Sequence, residues 1–259
     1  MAWLGHEQYL DRVKADARRF AEMVAAGDPE AEVPSCPDWQ LADLCAHLGR
    51  VHRWVNQIVT TRSQERVGWD ALPDAAIPTD PAGQAEWLLR GASAVAAVLR
   101  EVGTGLEVWG WAGEFSTGWW GRRMAHETLV HRIDAELAVD GRPGRIDAEL
   151  AADNIDELLH NAAAPASRAF PNRGRLRGDG GTLHLHCTDV RGEWLLRRAQ
   201  LPEGFAYEEG HAKGDAAVRG SAEELMLLLN KRLPDGRNDL QVIGDHHAVA
   251  LWLEGLTLD

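Results

Sequence analysis

Cysteine is scarce in this chain of 259 residues: Cys36, Cys45 and Cys187 are too few, and odd in number, for a disulfide framework. Reduced thiols and a cytoplasmic location are the expectation. Basic runs are missing as well. Lys and Arg number 27 against 40 acids, a formal net charge of −13, and no basic stripe offers a grip on nucleic-acid phosphates. Long apolar runs are absent. The longest, around Ala92 to Leu99, lies between Arg90 and Arg100 and falls far short of the ~18–20 residues of a membrane span. Glu7 and Asp11 interrupt the opening residues, which do not read as a signal peptide. Familiar enzyme signatures are also lacking: there is no phosphate-binding Gly-rich loop, no G-x-S-x-G elbow and no C-x-x-C. Tyr and Phe are few, two and four, whereas Trp numbers eleven, a balance that favours an aromatic-lined pocket.

What is present is ordinary globular composition, with a change of texture near Pro143. Before it, apolar residues recur at spacings of three and four. Leu10, Val13, Ala17, Phe20 and Val24 form one face of a first helix, ended by Gly27 and Asp28. A second runs from about Gln40 to Thr61, a third from about Pro81 to Val102, and a fourth from about Gly121 to Val139. Between the last two, Val108 to Trp120 reads as a loop rich in Gly and Trp. Four such helices predict an antiparallel bundle over residues 1–143. Residues 144–259 predict a smaller α+β domain. A helix (about Asp147 to Asn161) and a Gly/Pro/Arg-rich stretch precede period-2 alternation, with Leu183, Leu185 and Cys187 on one face and His184 and His186 on the other. Short strands near Glu193, Phe205, Asp215 and Leu240 and helices from Ala222 and Asp245 complete an α+β chain.

The chemistry sits in Arg122-Arg123-Met124-Ala125-His126-Glu127-Thr128-Leu129-Val130-His131-Arg132-Ile133-Asp134. It resembles the H-E-x-x-H helix of zinc proteases with one residue too many. His126 and His131 are five apart, about 140° round a helix, and cannot share an ion. Glu127 and His131 are four apart and can. Asp134 follows on the same side, to join them or to orient His131. A third ligand from another helix would come from His47 or His52, with Gly49 between them allowing a close helix neighbour. Each residue also has a plainer explanation: a Glu–His pair at this spacing is usually a solvated helical pair, and a lone His is often a core residue. His184 and His186 could chelate a metal or simply form a polar strand face. The four tryptophans Trp109, Trp111, Trp119 and Trp120 could wall a pocket or cap the bundle.

Three stretches resemble the mycothiol-dependent maleylpyruvate isomerase family. The first is Val33-Pro34-Ser35-Cys36-Pro37-Asp38-Trp39 with Asp43-Leu44 and Ala46-His47-Leu48-Gly49; the second is Arg123 to Glu136. The third is Leu183-His184-Leu185-His186-Cys187-Thr188-Asp189 with Gly192-Glu193-Trp194 and Val218-Arg219-Gly220. The resemblance implies a DinB-like metal-binding bundle followed by a sterol-carrier-like domain, and zinc, or another divalent metal, held by His47, Glu127 and His131. It also implies mycothiol, the small thiol of actinobacteria, as co-substrate. Gln40 stands where the family often has a helix-capping Thr or Ser.

A metal-held thiolate adding to a small electrophile would make the chain a cis-trans isomerase of the maleylpyruvate type or a related S-transferase. Arg219 is the candidate clamp for a substrate carboxylate, although a surface arginine reads the same way. The expected partners are the thiol and the electrophile, with no nucleic acid or membrane; a monomer is compatible with the sequence. The rival reading is a non-catalytic carrier of an apolar ligand, stabilised by a metal.

Overall fold

The computed structural model describes residues 4–258 apart from 179, 235 and 237. The chain folds as two compact units. The first comprises residues 5–110 and 114–144; the second takes in 111–113 and the residues from 145 onward.

Four helices build the first unit: α1 (His6–Ala26), α2 (Leu41–Thr60), α3 (Pro81–Val102) and α4 (Thr117–Asp140). Helices α1 and α2 each pack mainly on α3 and α4. The order round the bundle is therefore α1, α3, α2, α4, with chain neighbours α1 and α2 on a diagonal. The apolar face expected of α1 is buried in full, Leu10, Ala17 and Phe20 completely. Helix α3 starts at Pro81, and Asp80 caps it by accepting from Gly83 N at 2.9 Å. Gln40 gives α2 no side-chain cap; Asp43 takes the Gln40 N–H at 3.1 Å instead.

Helix α4 begins four residues before the expected Gly121. Ser116 caps it, its Oγ accepting from Trp119 N at 3.1 Å, so Trp119 and Trp120 are helical rather than part of the loop. Trp54, Trp69, Trp109 and Trp120 then form a ring cluster, with Trp54 and Trp69 stacked at 5.2 Å and Trp54 and Trp120 edge-on at 5.7 Å. Indole N–H groups of Trp54 and Trp120 donate to the carbonyls of Val67 and Trp109, tying the loops after α2 and α3 to the bundle. On the α1 side, Arg132 pairs with Asp16 and Glu136, and Arg19 reaches Glu136 at 3.0 Å. These polar residues of the second motif are thereby absorbed into packing.

At Gly49 helix α2 packs directly on the Trp87 side chain of α3. A Cβ there would overlap the Trp87 ring, so the indole or one of the two helices would have to shift. Overpacking of a core typically costs about 1–3 kcal/mol. Gly49→Ala should therefore lower stability by at least that much in urea denaturation, and an unchanged midpoint would contradict the packing.

The second unit opens with α5 (Ala148–Ala163) and carries a mixed five-stranded sheet. Its strands are β1 (Thr182–Cys187), β2 (Glu193–Arg198), β3 (Phe205–Glu209), β4 (Ala216–Gly220) and β5 (Gln241–Gly244), in the order β3-β2-β1-β4-β5. Only the β1–β4 pair is parallel. Helices α6 (Ala222–Leu229) and α7 (His246–Gly255) pack against β1 and β4. The expected alternation along β1 buries Leu183, Leu185 and Cys187, but His184 is only 6% exposed. As the central strand, β1 is covered at that point on both faces. No helix among the described residues is long and apolar enough to cross a membrane.

Candidate metal centre

Helix α4 supplies two donors one turn apart and α2 the third. Glu127 Oε1 lies 3.3 Å from His47 Nε2 and 3.2 Å from His131 Nε2, and all three donor atoms fall within 4.8 Å of one another. Charge-assisted hydrogen bonds are usually shorter, about 2.7–2.9 Å. Ligands about 2.0–2.1 Å from a tetrahedral ion stand roughly 3.3 Å apart, so these separations fit the edges of a coordination tetrahedron. The two imidazoles meet edge to face at 4.9 Å. Two nitrogens and one carboxylate oxygen are a donor set suited to zinc, and three protein ligands leave one position for a substrate.

Each donor is oriented by a further side chain. Asp134, fully buried, takes the His131 Nδ1 proton at 2.8 Å, which turns Nε2 toward the shared point; this is the usual carboxylate support of a metal-binding histidine. The Ser35 hydroxyl donates to the other oxygen of Asp134, Oδ1, while the Cys36 thiol approaches Oδ2, the oxygen that faces His131, at 3.6 Å. The Ser35–Cys36 loop thus serves the site through Asp134. Arg123 Nη2 donates to Glu127 Oε2 at 3.0 Å, leaving Oε1 for the histidines. Trp39 packs on the His47 ring at 4.9 Å.

Electrostatics follow from this geometry. Burial alone would push Glu127 up, but hydrogen bonds from His131 and His47, with the charges of His131 and Arg123, hold it well below the usual carboxylate range. Burial likewise opposes a charge on His131, yet its hydrogen bonds to Asp134 and Glu127 outweigh that and raise it to about 9. The two carboxylates thus favour a positive charge at His131.

His52, the other candidate third ligand, points elsewhere. It is fully buried, and its Nε2 is 3.0 Å from the Thr128 hydroxyl. That hydroxyl donates to Met124 O at 2.7 Å, so it accepts from His52, whose proton must sit on Nε2. His126 is buried against Tyr9. Arg219 is exposed on β4, in the other unit, in register with His186 of β1. Cys45 and Cys187 are buried thiols that burial pushes up to about 12. They are poor nucleophiles.

Beside His47 lies a cavity of about 760 Å³, which this donor lines together with Trp39, Arg50, Trp69 and Leu72. It falls within the usual size of small-molecule sites, about 300–1,000 Å³. Its second indole comes from Trp69 rather than from the four tryptophans singled out in the sequence. Trp39 and Arg123 stood inside the two quoted motifs without a role of their own, although Arg123 is spaced i,i+4 from Glu127; Trp69 was not singled out.

Residues 10–136 match the model of the mycothiol maleylpyruvate isomerase N-terminal domain, and residues 149–251 that of the C-terminal domain of the same family. Two crystal structures of the mycothiol-dependent maleylpyruvate isomerase, one a point mutant, are similar in fold. Each is 14% identical and covers 92% of this chain and 93% of its own, with TM-scores of 0.58 for the mutant and 0.56. No curated protein matches the chain. With both family domains matched in order over most of its length, the chain belongs to the mycothiol maleylpyruvate isomerase family.

Proposed function

We propose that the chain is a metal-dependent enzyme that uses mycothiol to act on a small electrophile, by cis-trans isomerisation of a maleylpyruvate-type substrate or by related S-transfer. The observation that carries this reading is the position of His47, which belongs to the three-donor cluster and also lines the cavity. His47, Glu127 and His131 would hold zinc or another divalent ion. When bound, such an ion acts as a Lewis acid that keeps a thiol, of pKa ~8.5 when free, as thiolate near neutral pH.

The chain's own residues set the geometry. Asp134 and Arg123 fix His131 and Glu127 so that their free donor atoms face one point. Trp39, Trp69 and Leu72 offer apolar walls to the organic part of a substrate. Arg219 is the proposed clamp for a carboxylate, which Arg219→Ala tests through a raised KM. A thiolate that adds to one carbon of an activated cis double bond leaves a single bond free to rotate. Loss of the thiolate then restores the double bond in trans form and regenerates the thiol. With a leaving group in place of the double bond, the thiol is consumed and a thioether remains.

The test is turnover of maleylpyruvate and a panel of electrophiles by the zinc-loaded protein, with and without mycothiol, followed by mass spectrometry. Thiol-dependent turnover is expected; thiol recovered unchanged marks the isomerase and a thioether product the transferase. Turnover that persists after every small thiol is removed overturns the proposal.

A further inference from the structure

A second group of donors stands on the sheet of the other unit. His184 and His186 lie two residues apart on β1 and so share a face. Glu193 of β2 is the antiparallel partner of His186, which puts its carboxylate on that same face. His211 follows β3, the next strand over. Gly210 N donates to Glu193 O at 2.9 Å, and at φ 135° Gly210 adopts a backbone conformation that side chains resist. That turn brings His211 back over Glu193.

Three imidazoles converge on a single oxygen. Glu193 Oε2 is 3.1 Å from His184 Nε2, 3.2 Å from His186 Nδ1 and 2.6 Å from His211 Nδ1. The rings are close to mutually perpendicular, at 79°, 88° and 82°, with centroids 5.6–6.3 Å apart. One carboxylate oxygen has about two lone-pair sites and cannot accept from three N–H groups. The mismatch is visible at His184: its Nε2 is buried and makes no hydrogen bond, despite standing 3.1 Å from the carboxylate. A buried ring nitrogen aimed without a hydrogen bond into a cluster of lone pairs is the arrangement a cation would complete.

We propose that His184, His186, Glu193 and His211 form a second metal site, for a zinc-class divalent ion. Three nitrogens and one oxygen favour zinc and its transition-metal neighbours over magnesium or calcium, which take oxygen donors. Four protein donors complete a tetrahedron and leave no position for substrate, so the site is structural. It pins the loop after β3 to β2 and β1. The bundle centre uses three donors on helices; this site uses three on strands and one in the loop after β3, and is independent of it.

The experiment is titration of the chelator-stripped, full-length chain with Zn²⁺ against a competing chromophoric chelator. Two equivalents are expected. Glu193→Gln combined with His211→Ala should weaken one equivalent roughly 100-fold or more, since losing even an outer partner of a metal ligand costs about 10–100-fold. His131→Ala should remove the other equivalent and leave this one. His211 is 79% exposed in its side chain, so His211→Ala alone, checked by circular dichroism, guards against loss of fold. Zinc binding unchanged in stoichiometry and affinity in the double variant overturns the proposal, as does a single equivalent that vanishes in His131→Ala. One equivalent that vanishes in the double variant but survives His131→Ala supports this site and refutes the bundle centre.

Discussion

Alanine at Glu127 or His131 should strip the bundle of the proposed metal and abolish the proposed thiol-dependent turnover. Either change removes one of three donors, and Asp134, the next carboxylate along α4, is already held by His131, Ser35 and Cys36. Metal Lewis acidity contributes several kcal/mol to a transition state, and at about 1.4 kcal/mol per decade its loss lowers kcat/KM by roughly 10³-fold or more. Asp134→Asn is the graded counterpart. It keeps the shape but weakens the hold on the His131 proton, and should lower metal affinity about 10–100-fold. Elemental analysis together with steady-state kinetics checks both. If Glu127→Ala retained its bundle equivalent, the assignment of this centre would fail.

Acid should destabilise the protein through His52 by an amount visible in any pH series. Burial, the largest influence on this ring, lowers its pKa from 6.5 to about 3. The unfolded chain takes up a proton near 6.5 that the folded chain refuses until about 3. The neutral form therefore supplies stability that is fully present above pH 6.5 and drains away as pH falls toward 3. The slope is about 1.4 kcal/mol per pH unit for one proton. His52→Gln, which can still donate to Thr128, removes this proton from the balance. Its stability should fall less steeply than that of the wild type between pH 6 and 4, by about that slope. Parallel curves for the two proteins in urea denaturation would show that His52 is not the buried neutral group described.

The bundle was largely legible because its helices keep apolar residues on one face, as Leu10, Val13, Ala17 and Phe20 do. Helix α4 was less so at its start. Thr117, Gly118, Trp119 and Trp120 carry no helical period, and the Ser116 cap that begins the helix resembles any loop serine. Within the site, Glu127 and His131 announced themselves by spacing on one helix. Choosing His47 over His52 needed the family resemblance, since both lie on α2, and the structure separates them by sending His52 to Thr128. The role of Ser35 and Cys36 was hidden because their partner, Asp134, lies 99 and 98 residues away. The sheet cluster was half visible, as His184 and His186, while Glu193 and His211 join it only through strand register and a glycine turn that no local pattern announces.

The contact between Gly49 and the Trp87 indole has a consequence for how a metal is captured. It sits two residues beyond His47, and Arg53, one turn further along α2, donates to the carbonyls of Gly49 and Trp87 and lies 3.8 Å over the Trp87 ring. Helix α2 is thus keyed into α3 like a tooth in a ratchet and cannot slide along it without driving a side chain into the indole. The axial position of His47 is settled by this packing of α2 on α3. Its ordering entropy is charged to folding and not to metal binding, so an arriving ion meets donors on a frame that is already rigid.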